Sequence, residues 1–413
     1  MLINTASIKR INKAFLLTIL FCFVAFLRSS AQKTDKFMGE IVNYDEESVP
    51  DYTLPDVLKM KNGKFVKNVA DWEKKRRAEV LNLFEEHVYG RMPKAFDSIR
   101  FEVSKEDQNA MGGRAHLKEI AVIVWNKGNS INIPVVLFTP KGKGPAPLFL
   151  LINNRSKRNT DPTRERKSTF WPAETVIDSG YAIAAFNIND VAPDNKENYR
   201  NGVLNLLYPE QLETSDGMRA IGAWAWAASR VMDYFKTDKE VDFKRVAIVG
   251  HSRGGKTALW AGAQDQRFAM VFSSCSGSTG ASLARRQYGE TISLINKQFG
   301  YWFNDNYKQY SKNVNSLPVD QHMLIASIAP RPVYTTNATL DRWADPRGSY
   351  LALLNARPVY DLYKKRSALV PDLPSVNSPI VNSIIGYHYR EGIHDLNAYD
   401  WEKFIRFANF HYN

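Results

Sequence analysis

A chain of 413 residues with a formal net charge of +12 is long enough to bury its own apolar core. Of its two cysteines, Cys22 falls in an expected leader and only Cys275 remains, which excludes an intramolecular disulfide in the mature chain. Removing residues 1–31, which carry Lys9, Arg10, Lys13 and Arg28 and no acids, lowers the charge to +8. The remaining basic residues are scattered among acids, as in 73–79, so the excess singles out neither nucleic acid nor a membrane surface.

Along the chain, Lys9, Arg10 and Lys13 precede an apolar run over 14–26 that is short for a bilayer span, and Ser29-Ser-Ala-Gln32 supplies small residues behind it. This pattern predicts a cleaved signal peptide at 1–31 and export to the periplasm or the medium. Bulky Phe21 before Cys22 argues against a lipoprotein. Residues 33–70 are polar and broken by prolines, which suits a surface-wrapping segment. Trp72, Val80, Leu83 and Phe84 then form an apolar stripe in a helix over 71–90 that stops near Gly90. The organisation expected is a signal peptide at 1–31, an N-terminal wrapping segment and helix at 32–100, and a catalytic domain at 101–413.

Ile120–Trp125 and Ile131–Phe138 flank Lys127-Gly-Asn-Ser130 as a hairpin would. Short, wholly apolar runs follow at Leu148–Ile152, Ala182–Phe186, Val246–Val249, Met270–Ser274 and Val333–Thr336, with a last one near Ile385–Tyr389. Helical stretches separate several of them, most clearly Asp216–Phe235 and Lys256–Gln264. Buried strands alternating with helices predict an α/β fold with a mostly parallel central sheet covered on both faces. Ligands on such sheets bind at the carboxyl ends of the strands.

Gly250-His-Ser252-Arg-Gly254 lies between an apolar strand and a helical stretch, the setting of a nucleophile elbow. A serine hydroxyl needs a base, and in this fold the base follows the last strand, which selects His394 in Arg390-Glu-Gly-Ile-His-Asp395. His388 sits inside that strand and reads as a packed imidazole. For the acid that orients the base, Asp341 follows the run Val333–Asn337 and leads; Asp345 is its rival, with a turn or helix cap as its ordinary reading. Asn154 and Arg155 follow an earlier strand, where a backbone N–H usually serves the oxyanion. No His/Asp/Glu or Cys/His set has metal-ligand spacing, so neither metal nor other cofactor is expected.

Gly250-His-Ser-Arg-Gly-Gly-Lys-Thr-Ala-Leu-Trp260, Ser276-Gly, Ala284-Arg-Arg-Gln-Tyr-Gly-Glu290, Leu317-Pro-Val-Asp-Gln-His-Met323, Ala329-Pro-Arg-Pro-Val-Tyr334 and Trp343-Ala-Asp-Pro-Arg-Gly348 together resemble the bacterial glucuronoyl esterases of carbohydrate esterase family 15. The resemblance runs from about Asp56 to the C-terminus. It implies an α/β-hydrolase fold, a three-layer sandwich, and cleavage of esters between (4-O-methyl-)glucuronic acid on xylan and lignin alcohols. It further implies Ser252 as nucleophile, His394 as base, Arg253 as a stabiliser of the oxyanion, and Lys256, Glu290 and Trp343 as holders of the uronate sugar. Many members carry a catalytic glutamate just before the Ser-Gly; here that position is Cys275, which moves the expected acid to Asp341.

The expected partner is therefore glucuronoxylan or a lignin–carbohydrate ester, with no nucleic acid and no lasting membrane insertion after signal cleavage. The rival readings are a carbohydrate deacetylase, in which the sugar is the alcohol, and a non-catalytic polysaccharide-binding homologue, which only Cys275 favours.

Overall fold

The computed structural model describes residues 34–142 and 144–412, so the expected signal peptide at 1–31 lies outside the described residues. Residues 34–49 belong to a unit of their own: an antiparallel hairpin of β1 (Thr34–Phe37) and β2 (Glu40–Asn43), then one tight turn at Glu46–Ser48. Residues 50–412 belong to the second unit. There, helix α1 (Arg77–Phe84) is prolonged on both sides by wide π-turns, Trp72–Arg76 and Glu85–Tyr89, and buries Trp72, Val80, Phe84 and Val88. Gly90 ends it at φ 86°, where a Cβ would lie 2.4 Å from the carbonyl oxygen of Gly217.

An antiparallel meander follows, β3 (Ser98–Asn109), β4 (Ala115–Asn126) and β5 (Asn129–Pro140). From β6 (Ala146–Asn153) onward strands and helices alternate: α2 (Ala173–Asp178), β7 (Ala182–Asn187), α3 (Ala220–Phe235), β8 (Val241–His251), α4 (Arg253–Gln264) and β9 (Met270–Ser274). The chain closes with α5 (Ile292–Phe299), α6 (Gln321–Ala326), β10 (Val333–Ala338), α7 (Pro346–Leu362), β11 (Ile385–Arg390) and α8 (Ala398–Tyr412). The sheet order is β11-β10-β9-β8-β6-β7-β5-β4-β3, parallel from β11 to β7 and antiparallel from β7 outward.

Strand β6 explains why the middle runs are apolar at every position. Leu148, Leu150 and Ile152 join a core with residues of α3, α4 and α7, whereas Phe149 and Leu151 join a second core with Val176 of α2 and Trp401 and Phe404 of α8. Both faces are thus covered, which favours an apolar residue at each middle position of this strand. A mostly parallel sheet between two helical layers, with an antiparallel extension at one edge, is the α/β-hydrolase fold. The helix expected from Asp216 begins at Ala220, because Arg219 is held in an extended conformation. Its guanidinium donates to the carbonyls of Gln211, Thr214 and Gly217 and pairs with Asp305 at 2.7 Å. Among the described residues no helix is long and apolar enough to cross a membrane.

Candidate active site

Strand β8 ends at His251 and α4 begins at Arg253, which leaves Ser252 alone at the corner with φ 56° and ψ −126°. Such a backbone conformation costs about 1–3 kcal/mol for a residue with a side chain and persists only where the surroundings impose it. Here the Ser252 N–H donates to Ser274 O at 2.8 Å, and the Ser252 carbonyl accepts from the Gly255 and Lys256 amides at 2.8 and 3.1 Å. The turn also needs glycine beside it: a Cβ on Gly250 would lie 1.9 Å from the Gly254 carbonyl oxygen. The hydroxyl therefore stands at the N-terminus of a twelve-residue helix, whose dipole favours negative charge.

Two loops meet next to that corner, where the His394 ring approaches that of His251. Thr339 and Leu340, after β10, donate their amides to Arg390 O, at the end of β11, and to Gly392 O just beyond it, at 2.9 Å each. This pairing sets Asp341 beneath His394, and Nδ1 of the imidazole lies 2.7 Å from Oδ2 of the carboxylate. Asp341 is buried, while the His394 side chain is 41% exposed. Arg390 grips the histidine loop from below, donating to the carbonyls of Glu391, Ile393 and Asp395 while its Nε reaches Asp400 at 3.0 Å. The His251 ring packs 4.5 Å from that of His394. Burial first, and then the charge of His394, push the His251 pKa far below its ordinary value, so this neighbour stays neutral.

Cys275 follows β9 with its amide on Thr336 O at 2.8 Å and its thiol 3.9 Å from Asp395 O. Its sulfur, a carboxylate oxygen of Asp341 and a ring nitrogen of His394 all lie within 4.8 Å of one another, a cluster that ligand spacing in the sequence does not disclose. Burial, reinforced by the charge of Asp341, raises the thiol pKa well above its ordinary value. The sulfur therefore stays protonated, a weak donor.

Arg253, the first residue of α4, pairs through Nη1 with Asp194. One turn on, Lys256 is almost fully buried and donates to Glu290 Oε2 at 2.6 Å and to Ser278 O. Burial lowers the Lys256 pKa although Glu290 opposes the shift. The backbone joins Glu290 to the tryptophan next to it in space, Glu290 N donating to Trp343 O at 2.9 Å. The structure thus brings Lys256, Glu290 and Trp343 together beside the elbow. Glu290 pairs with neither nearby arginine: Arg285 pairs with Asp320 and Arg286 with Asp345.

Asp345 lies in the same loop as Asp341 but turns elsewhere. Its backbone is left-handed at φ 47°, Oδ1 caps α7 by accepting from Gly348 N at 2.9 Å, and Oδ2 accepts from Arg286 Nε at 2.9 Å. Asn154 lies beside the elbow, its Oδ1 3.4 Å from where a Cβ of Gly254 would be, and that oxygen is buried without a partner. Arg155 pairs with Asp395 at 2.8 Å and lies 4.2 Å over the Phe170 ring. Other histidines are engaged away from the serine: His87 with Tyr310, His116 with Glu240, His322 with Pro55 O, His388 with Asp400 and His411 with Ser383 O.

Residues 122–363 match the family model described as glucuronyl esterase, fungi. Carbohydrate esterase MZ0003 of an unknown prokaryotic organism is 38% identical over 400 residues, which cover 89% of this chain and 92% of that one. The 4-O-methyl-glucuronoyl methylesterase 1 of Wolfiporia cocos is 27% identical over 76% of this chain and 74% of its own. Among solved structures, a glucuronoyl esterase from Solibacter usitatus superposes with a TM-score of 0.84 at 34% identity, covering 89% of this chain and 100% of that one. A promiscuous esterase of carbohydrate esterase family 15 from a marine bacterial metagenome gives 0.83 at 37% identity, covering 90% and 100%.

Proposed function

Since the chain belongs to the glucuronoyl esterases of carbohydrate esterase family 15 and is a carboxylic ester hydrolase, we propose that it cleaves esters of glucuronic or 4-O-methyl-glucuronic acid through a Ser252–His394–Asp341 triad. The observation that supports this mechanism is the 2.7 Å bond between His394 Nδ1 and a buried Asp341, with the His394 ring 4.5 Å from that of His251, the neighbour of the strained elbow serine. Asp341 fixes the tautomer in which Nδ1 bears the hydrogen, leaving Nε2 to take the proton of Ser252. The serine oxygen attacks the uronate carbonyl. Arg253 and the first amides of α4 meet the negative charge that develops on the carbonyl oxygen. Collapse expels the alcohol, which receives the proton from His394 and leaves a glucuronoyl-enzyme. Water activated by the same imidazole then releases the acid.

Lys256, Glu290 and Trp343 hold the sugar in this reading, and the natural substrate is the ester joining glucuronoxylan to lignin alcohols. The methyl ester specificity in the name of the Wolfiporia cocos relative supports the uronate acyl group. The basic, apolar and small-residue leader supports export to the place where plant cell wall is met. Initial rates on methyl and benzyl glucuronate test the proposal: the wild type turns over both and Ser252→Ala neither. Wild-type protein inert toward both esters while cleaving acetylated xylan would replace it with a deacetylase.

The description of the marine relative as promiscuous favours one addition, that simple acetate esters are hydrolysed as well. Competition between 4-nitrophenyl acetate and benzyl glucuronate for the same Ser252 measures that breadth.

A further inference from the structure

Arg253 is surrounded more completely than a rim arginine needs to be. Asp194, in the segment after β7, has a side chain only 8% exposed, with three donors converging on its carboxylate. Oδ1 accepts from the Tyr301 hydroxyl at 2.7 Å and from Trp302 Nε1 at 2.8 Å, and Oδ2 accepts from Arg253 Nη1. Its own amide is tied to Asn189 Oδ1 at 2.9 Å. The Trp302 ring lies 5.1 Å from the guanidinium carbon and is stacked on Phe299 at 3.9 Å with 2° between planes. Tyr301 and Trp302 are anchored in turn, because their carbonyls accept the amides of Ala220 and Ile221 at the start of α3. Against these contacts one donor stands out: Arg253 Nε is buried and has no partner.

A buried N–H without an acceptor is unfavourable unless a ligand provides one. Two effects of the carboxylate oppose each other. Its charge offsets part of the guanidinium's, which weakens attraction for an oxyanion. Its grip removes the reorganisation that a free arginine would undergo during the reaction, and preorganised donors are worth most in a water-poor site. We infer that Asp194 is a positioning residue, which fixes the Arg253 guanidinium next to Ser252 for the ester oxygen that gains negative charge. The inference rests on the esterase reading above and adds to it the group that makes Arg253 an effective donor.

A double-mutant cycle tests it, with methyl glucuronate as substrate. Asp194→Asn lowers kcat by about 30-fold or more with KM within about threefold, and Arg253→Ala lowers kcat by about 10²-fold. In the Arg253→Ala background the Asp194→Asn change costs less than about twofold, because there is no guanidinium left to position. Trp302→Phe keeps a ring under the guanidinium and removes only one donor to Asp194. It loses about 3–10-fold in kcat, again only when Arg253 is present. Losses that persist undiminished in the Arg253→Ala background, or an Asp194→Asn enzyme as fast as or faster than wild type, overturn the proposal. Wild-type protein that leaves methyl glucuronate intact refutes the substrate reading instead, and the same cycle on 4-nitrophenyl acetate then decides the role of Asp194.

Discussion

The Cys275 thiol lies within 4.8 Å of both the imidazole and the carboxylate of the dyad, yet burial and the charge of Asp341 keep it protonated. A neutral thiol cannot stabilise an imidazolium as a carboxylate does. Asp341→Asn is therefore expected to lower kcat on methyl glucuronate by about 10³–10⁴-fold with KM little changed, and Cys275 will not compensate. Cys275→Ser, a change of one atom in a site already hydrogen-bonded to backbone, is expected to stay within about threefold of wild-type kcat. Stopped-flow or steady-state rates on the three proteins separate these outcomes. A hundredfold loss in Cys275→Ser would assign the thiol a part in the chemistry.

At the scale of elements, the rival acid has a different task. Asp345 caps α7 and pairs with a buried Arg286, so Asp345→Ala removes both a cap and a buried ion pair. Urea unfolding is expected to show a loss of about 2–3 kcal/mol, with kcat below the melting range within a few-fold of wild type. The strands of the parallel sheet were legible because burial on both faces leaves uninterrupted apolar runs. Strand β3 was not singled out: Ile99, Phe101 and Val103 alternate with Arg100 and Glu102, but the polar half from Ser104 to Asn109 of this largely exposed edge strand carries no such signal. Ser252 and His394 announce themselves by position relative to strands, a local signal, and Arg253 by its place in the family motif. Asp194 does not: it meets Arg253 from 59 residues away. The partners of Glu290, Arg285 and Arg286 were hidden for the same reason, because ion pairing among many charged residues is decided by packing and not by neighbourhood in the chain.

For the whole molecule, histidine burial sets the acid limit. His251, His388 and His322 are all buried, and burial lowers each pKa below the ordinary 6.5. Above pH 6.5 they are neutral in both folded and unfolded chains and leave stability unchanged. As pH falls below 6.5 the unfolded chain binds protons that the folded chain refuses, so stability declines toward the lower folded values. Each histidine that stays neutral contributes about 1.4 kcal/mol of loss per pH unit. Melting temperatures are expected to be level from pH 7 to 8 and to drop between pH 6 and 5; a flat profile across that interval would mean that these imidazoles titrate normally in the fold.

The pairing of β9 with β10 reaches further than stability. Thr336 lies opposite Ser274, so the chain leaves the two strands side by side, and positions 275 and 341 approach one imidazole from adjacent posts. A lineage can carry a carboxylate at both posts for a time and then discard either, never passing through an enzyme without one. A cysteine at the first post is thus compatible with a working base, because the second post supplies the carboxylate.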